Sequence, residues 1–95
     1  MNLKKVHIKI VGRVQGVFYR VSLQQQAKAL GITGWCRNMP DGSVEAVIAG
    51  DNEAVQGLID WCWQGPSGAE VRDVQVQDEV LSAYEMPECA FEVYR

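Results

Sequence analysis

Two short segments of this 95-residue chain carry residues whose types and spacing suit the handling of an anion. The first is Gly12-Arg13-Val14-Gln15-Gly16-Val17-Phe18-Tyr19-Arg20. Its glycines let the backbone turn tightly and bring amide groups close to a ligand. A helix starting here would leave its first N–H groups unpaired, and the positive end of its dipole would favour a phosphate-sized anion. A run of convergent amides forms such a concavity without any side chain. Arg20, in the first turn, can grip two phosphate oxygens with a planar fork that lysine cannot copy. No G-K-[ST] follows and G-x-G-x-x-G is absent, so the segment is neither a nucleotide P-loop nor a dinucleotide fingerprint. The second segment is Gly34-Trp35-Cys36-Arg37-Asn38, ahead of Met39-Pro40-Asp41-Gly42. Asn38 offers a donor and an acceptor and does not ionise, so it can hold a water and a substrate oxygen at once. Each segment also has a plain alternative: a glycine turn with a surface arginine, and an asparagine that caps local backbone.

The patterning between these segments predicts the elements that position them. Residues 5–14 alternate, with Val6, Ile8 and Ile10 on one face and Lys5, His7 and Lys9 on the other, which is a strand buried on one side. His7, the sole histidine, falls on the wet face and reads as a solvated strand residue. Residues 19–30 read as a helix, with Leu23, Ala27 and Leu30 along one stripe and Gly31 as its stop. Residues 33–38 and 44–49 form a hairpin around the Pro40-Asp41-Gly42 turn. Asp51 or Asn52 caps a second helix, whose stripe is Val55, Leu58, Ile59 and Cys62. Trp61 and Trp63 flank that stripe as packing residues, and Gly65-Pro66-Ser67-Gly68 ends it. Val71, Val74 and Val76 mark a strand with an irregularity between 71 and 74. After a polar loop containing Pro87, residues 91–95 close the chain as a strand with Phe91 and Val93 inward. The order is β-α-β-β-α-β plus a C-terminal strand: an α/β (α+β) ferredoxin-like sandwich, mostly antiparallel, with both helices on one face.

Length and composition set the frame. Ninety-five residues make one domain, 1–95, and 47% hydrophobic with 22% charged residues supports a packed core rather than disorder. No stretch is long and apolar enough to span a membrane. Lysines at 4, 5 and 9 interrupt any signal-peptide core, so the expected location is cytoplasmic. Cys36, Cys62 and Cys89 form no C-x-x-C pair, and their odd number makes a poor disulfide framework, although one bridge stays open. With one histidine there is no zinc set. Seven of the nine Lys and Arg precede Asp41, and all twelve acidic residues lie from Asp41 onward. Either the N-terminal part handles an anion, or the two halves neutralise each other across the fold.

Taken together, the two segments resemble the acylphosphatase family. Its first signature is similar to Gly12-x-Val14-Gln15-Gly16-Val17 followed by an aromatic and Arg20. Its second is similar to Gly34-Trp35-x-x-Asn38, then Asp41-Gly42-x-Val44-Glu45, with Gly50 closing the strand. The resemblance spans nearly the whole chain. It implies hydrolysis of the carboxyl-phosphate bond of a small acyl phosphate, with no cofactor and no metal. It also implies a phosphate cradle made by the amides of Gln15, Gly16, Val17, Phe18, Tyr19 and Arg20. The Arg20 side chain would bind phosphate and Asn38 would orient the attacking water. Phosphate or sulfate would fit the same site, and a monomer is expected, with neither nucleic acid nor membrane as partner. Tyr19 departs from the phenylalanine usual in the family, and a buried tyrosine hydroxyl needs a partner. The competing readings are an RNA-binding module of the same fold, a carbamoyl-phosphate-handling domain and an inactive remnant. The RNA modules carry stacking aromatics on their central strands, where this chain has Val6, Ile8, Val44 and Ala46.

Overall fold

A computed structural model of the chain describes residues 2–80 and 91–94. In chain order its elements are β1 (Leu3–Arg13), α1 (Tyr19–Ala29), β2 (Thr33–Asn38), β3 (Val44–Asp51), α2 (Asn52–Gln64), β4 (Glu70–Asp78) and β5 (Phe91–Tyr94). The alternation in β1 fixes which face it buries: Val6, Ile8 and Ile10 are fully enclosed. The strand therefore sits inside the sheet, between β4 and β3, in the order β4-β1-β3-β2-β5. The first four strands pair antiparallel, and β5 runs parallel to β2 at the edge. Leu23 and Ala27 of α1 and Val55, Leu58, Ile59 and Cys62 of α2 pack with these strand residues in one core. The result is the ferredoxin-like α+β arrangement. Val11 faces Asp73 and Gly12 faces Val71, so Arg72 is an extra residue in β4, within the irregularity predicted between 71 and 74.

The helix ends have identifiable causes. At the end of α1, Gly31 N–H bonds to Lys28 O (3.2 Å) and Ile32 N–H to Ala27 O (2.8 Å), a Schellman closure. Leu30 lies past the last helical residue and is partly exposed rather than part of the stripe. Asp51, of the two predicted candidates, caps α2 by accepting the Glu53 N–H at 3.2 Å. Trp61 packs against the core as expected, whereas Trp63 is half-exposed. Cys89, Pro87 and Arg95 lie outside the described residues.

One contact ties the two helices together. The Tyr19 ring is buried, 5.5 Å from the Trp61 ring, and its hydroxyl donates to Cys62 O at 2.6 Å. That carbonyl belongs to the last turn of α2, where backbone acceptors lack helical donors. The tyrosine thus has the partner its burial demands. The ring leaves no room beside Gly65: a Cβ there would stand 2.8 Å from Tyr19 Cε2, on a backbone with φ 65°. Gly65→Ala is expected to lower the unfolding free energy by about 2 kcal/mol through crowding and left-handed strain. Urea denaturation measures it, and an unchanged midpoint would contradict this packing.

Candidate active site

The loop between β1 and α1 is pinned at both ends by buried side chains, Val14 and Tyr19. Between them the backbone turns through Gly16 (φ 76°) and Phe18 (φ 59°, ψ 26°), the latter a left-handed residue that forms the N-cap of α1. Phe18 O accepts the Ser22 N–H at 3.0 Å, and amides ahead of Ser22 have no carbonyl one turn back. No side chain caps α1, and its first turn contains no acid. The contrast with α2, capped by Asp51 and carrying Glu53, leaves the start of α1 the more positive of the two.

The turn that follows Asn38 is built around Asp41. Its Oδ1 accepts the Ser43 N–H (2.9 Å) and the Ser43 hydroxyl, and its Oδ2 meets Lys9 Nζ at 2.9 Å. Met39 N–H donates to Ser43 O at 2.8 Å, closing the turn. Gln15 then spans from the loop to this turn. Its Nε2 donates to Met39 O (2.9 Å) and Ser43 O (3.0 Å). These bonds fix Asn38, next to Met39, against the loop.

A cavity of about 360 Å³ opens where loop and turn meet, lined by Val14, Gln15, Gly16, Phe18, Tyr19, Arg20, Val21 and Asn38. It brings together both side chains singled out in the sequence, Arg20 and Asn38. Of the six predicted cradle residues, Val17 alone is absent from the wall and packs against the core. Asn38 Oδ1 is buried and has no hydrogen-bond partner among the described residues. A buried acceptor left unpaired is costly, which marks Asn38 as a residue suited to taking a further donor. The sequence reading missed two contributors. Gln15 was expected to act through its amide, but its side chain makes the clamp. Val21 was not singled out because a half-exposed valine in a helix carries no local signal.

The remaining candidates fall away from the chemistry. Burial pushes both the Cys36 and Cys62 thiols up to about 12, with Arg20 only partly offsetting this for Cys36. Both are free, buried thiols. His7 is not simply solvated: its Nε2 lies 2.7 Å from Glu45 Oε2, while Arg37 Nε donates to Glu45 Oε1 at 2.7 Å. These bonds, His7 first, hold the Glu45 carboxyl below its ordinary value. With Lys4–Asp78 (3.7 Å) and Lys9–Asp41, they show basic residues of the first half neutralised by acids of the second. Among the described residues, no group of His, Cys, Asp or Glu is arranged to hold a metal ion, and no helix is long and apolar enough to cross a membrane.

Two outcomes are expected. The Ser43 hydroxyl, then Lys9, hold the Asp41 carboxyl well below the usual carboxylate range. A depressed folded-state value means that the contribution is complete above the unfolded value of about 4 and is lost as pH falls below it. Urea midpoints should therefore drop between about pH 5 and about pH 2, and Asp41→Asn should shallow that slope. An identical slope in the variant would remove Asp41 from the account. Iodoacetamide at about pH 8 should leave Cys36 and Cys62 unmodified until the protein unfolds, as read by peptide mass mapping. Alkylation of either in the native state would contradict their burial.

Known proteins match this arrangement. The family model described as Acylphosphatase matches residues 6–89. The chain is 52% identical over 77 residues to an acylphosphatase of Pelotomaculum thermopropionicum, covering 81% of this chain and 84% of the relative. It is 47% identical over 93 residues to that of Gloeobacter violaceus, covering 96% and 94%. The solved structure of an acylphosphatase from Coxiella burnetii superposes with a TM-score of 0.88 at 35% identity, covering 98% of this chain and 94% of that one. With its paired motifs, its fold and these relatives, the chain belongs to the acylphosphatase family.

Proposed function

We propose that the chain hydrolyses acyl phosphates to a carboxylate and inorganic phosphate. The observation that carries this reading is the presence of Arg20 and Asn38 in one cavity wall, with Asn38 Oδ1 left without a partner among the described residues. The phosphoryl group rests against the amides of residues 15–20 at the uncapped start of α1, and the Arg20 guanidinium spans two of its oxygens. Asn38 Oδ1 accepts one proton of a water, which turns the water's lone pair toward phosphorus. Attack forms the new O–P bond in line with the acyl oxygen. The acyl O–P bond breaks, and its electron pair leaves with the carboxylate. The water's proton passes to a phosphoryl oxygen.

This chemistry asks little else of the protein. A carboxylate leaves readily without a proton, so no general acid is needed. The amides and Arg20 stabilise charge on the phosphoryl oxygens. No metal or cofactor takes part in the proposed steps. Product phosphate, or sulfate, occupies the same cradle. The proposed working form is a cytoplasmic monomer, residues 1–95 acting as one domain, without nucleic acid or membrane.

Hydrolysis of benzoyl phosphate in the presence of a chelator tests this. Arg20→Ala and Asn38→Ala, each with a native circular dichroism spectrum, should each lose roughly a hundredfold or more in kcat/KM. A folded native protein without turnover would overturn the reading, and inhibition by the chelator would overturn its independence of metal.

A further inference from the structure

Phe18 concentrates three unfavourable features in one residue. It takes the left-handed backbone, φ 59°, that a side chain with a Cβ disfavours. It stands at the N-cap of α1 yet supplies no capping oxygen. It is a large apolar residue left 80% exposed. Asparagine would serve this turn better on all three counts, and glycine on the backbone and the exposure. Phe18 does line the cavity that holds Arg20 and Asn38. Val21, 46% exposed, lines the same cavity three residues further on.

The wall is thus divided by chemistry. Arg20 and Asn38 offer charge and hydrogen bonds, while Phe18 and Val21 offer apolar surface at the mouth. In an acyl phosphate the acyl substituent lies only a few bonds from phosphorus, so a group held in the cradle must carry its substituent past these residues. Arg20 is the one charged residue among the described lining. We infer that Phe18 and Val21 form the acyl-group subsite, selecting acyl phosphates with an aromatic or bulky apolar acyl group over small or charged ones. This rests on the phosphoryl site proposed above.

Affinities for phenylphosphonate and methylphosphonate, neither of which needs turnover to be read, test the subsite in the native protein, Phe18→Asn and Val21→Ser. Asparagine tolerates the left-handed backbone and caps the helix, so Phe18→Asn removes the ring while favouring the fold. The native protein should prefer the phenyl compound roughly tenfold, a magnitude typical of one aromatic contact. The preference should fall to about twofold or less in Phe18→Asn and fall partway in Val21→Ser. Using the ratio cancels any loss of phosphonate affinity common to both ligands. A native ratio near one, or a ratio unchanged in Phe18→Asn, overturns the subsite, as does failure of both phosphonates to bind. A native phenyl preference lost in Phe18→Asn, but without hydrolysis of benzoyl or acetyl phosphate, upholds the subsite and overturns the hydrolytic reading instead.

Discussion

The site depends first on the Gln15 carboxamide. Its Nε2 reaches Met39 O and Ser43 O, and so joins the loop after β1 to the turn after β2. Each such bond contributes only about 1 kcal/mol net. The consequence is geometric rather than energetic. It sets the loop that leads into α1, where Arg20 lies in the first turn, against the turn that follows Asn38 at the end of β2. The turn must be firm for the clamp to transmit anything, and Asp41 makes it so by holding Ser43 on one side and Lys9 of β1 on the other. The clamp thus draws on the strand pairing of β1 with β3, which brings Ile10 opposite Val44 beside the turn.

A second constraint acts from below. Tyr19 closes the loop, enters the core, and bonds to the last turn of α2. Desolvation raises its hydroxyl far above the ordinary value, so it stays a phenol that donates. The start of α1 is therefore fixed by the end of α2, through a ring that Gly65 makes room for. Cys36 contributes bulk at the same depth, its Sγ 3.9 Å from Arg20 O, and being a buried thiol it adds no charge beneath the arginine. A phosphate-sized anion is favoured by positive groups at the loop.

Much of this was legible from the residues alone. Alternation at Val6, Ile8 and Ile10 set the buried face of β1, and Leu23 with Ala27 set that of α1, because period and burial follow directly from backbone geometry. Arg20 and Asn38 stood out because their side chains match phosphate and water chemistry. The clamp did not stand out, since Gln15 bonds to backbone carbonyls that no residue type reveals. Tyr19 announced that it needed a partner, but its acceptor is a carbonyl in the last turn of a distant helix. The lopsided charge pointed two ways, and Lys4, Lys9 and Arg37 are paired with later carboxylates. Charge distribution along a chain does not say which charges meet once strands pair. Leu30 departed from its stripe because the Schellman turn begins there, and periodicity does not register where a helix stops.

The central claim is that the loop amides and Asn38 form one binding site held together by Gln15. The most direct measurement is a titration of nitrogen-15-labelled protein with inorganic phosphate, followed through backbone and side-chain amide signals in the native chain and in Gln15→Leu. In the native protein the amides of residues 15–20 and the Asn38 side-chain amide should shift together on one saturation curve. In Gln15→Leu the loop amides should still respond while the Asn38 signal decouples from them. Shifts confined to other surfaces, or an Asn38 response unaffected by loss of the Gln15 carboxamide, would contradict the account.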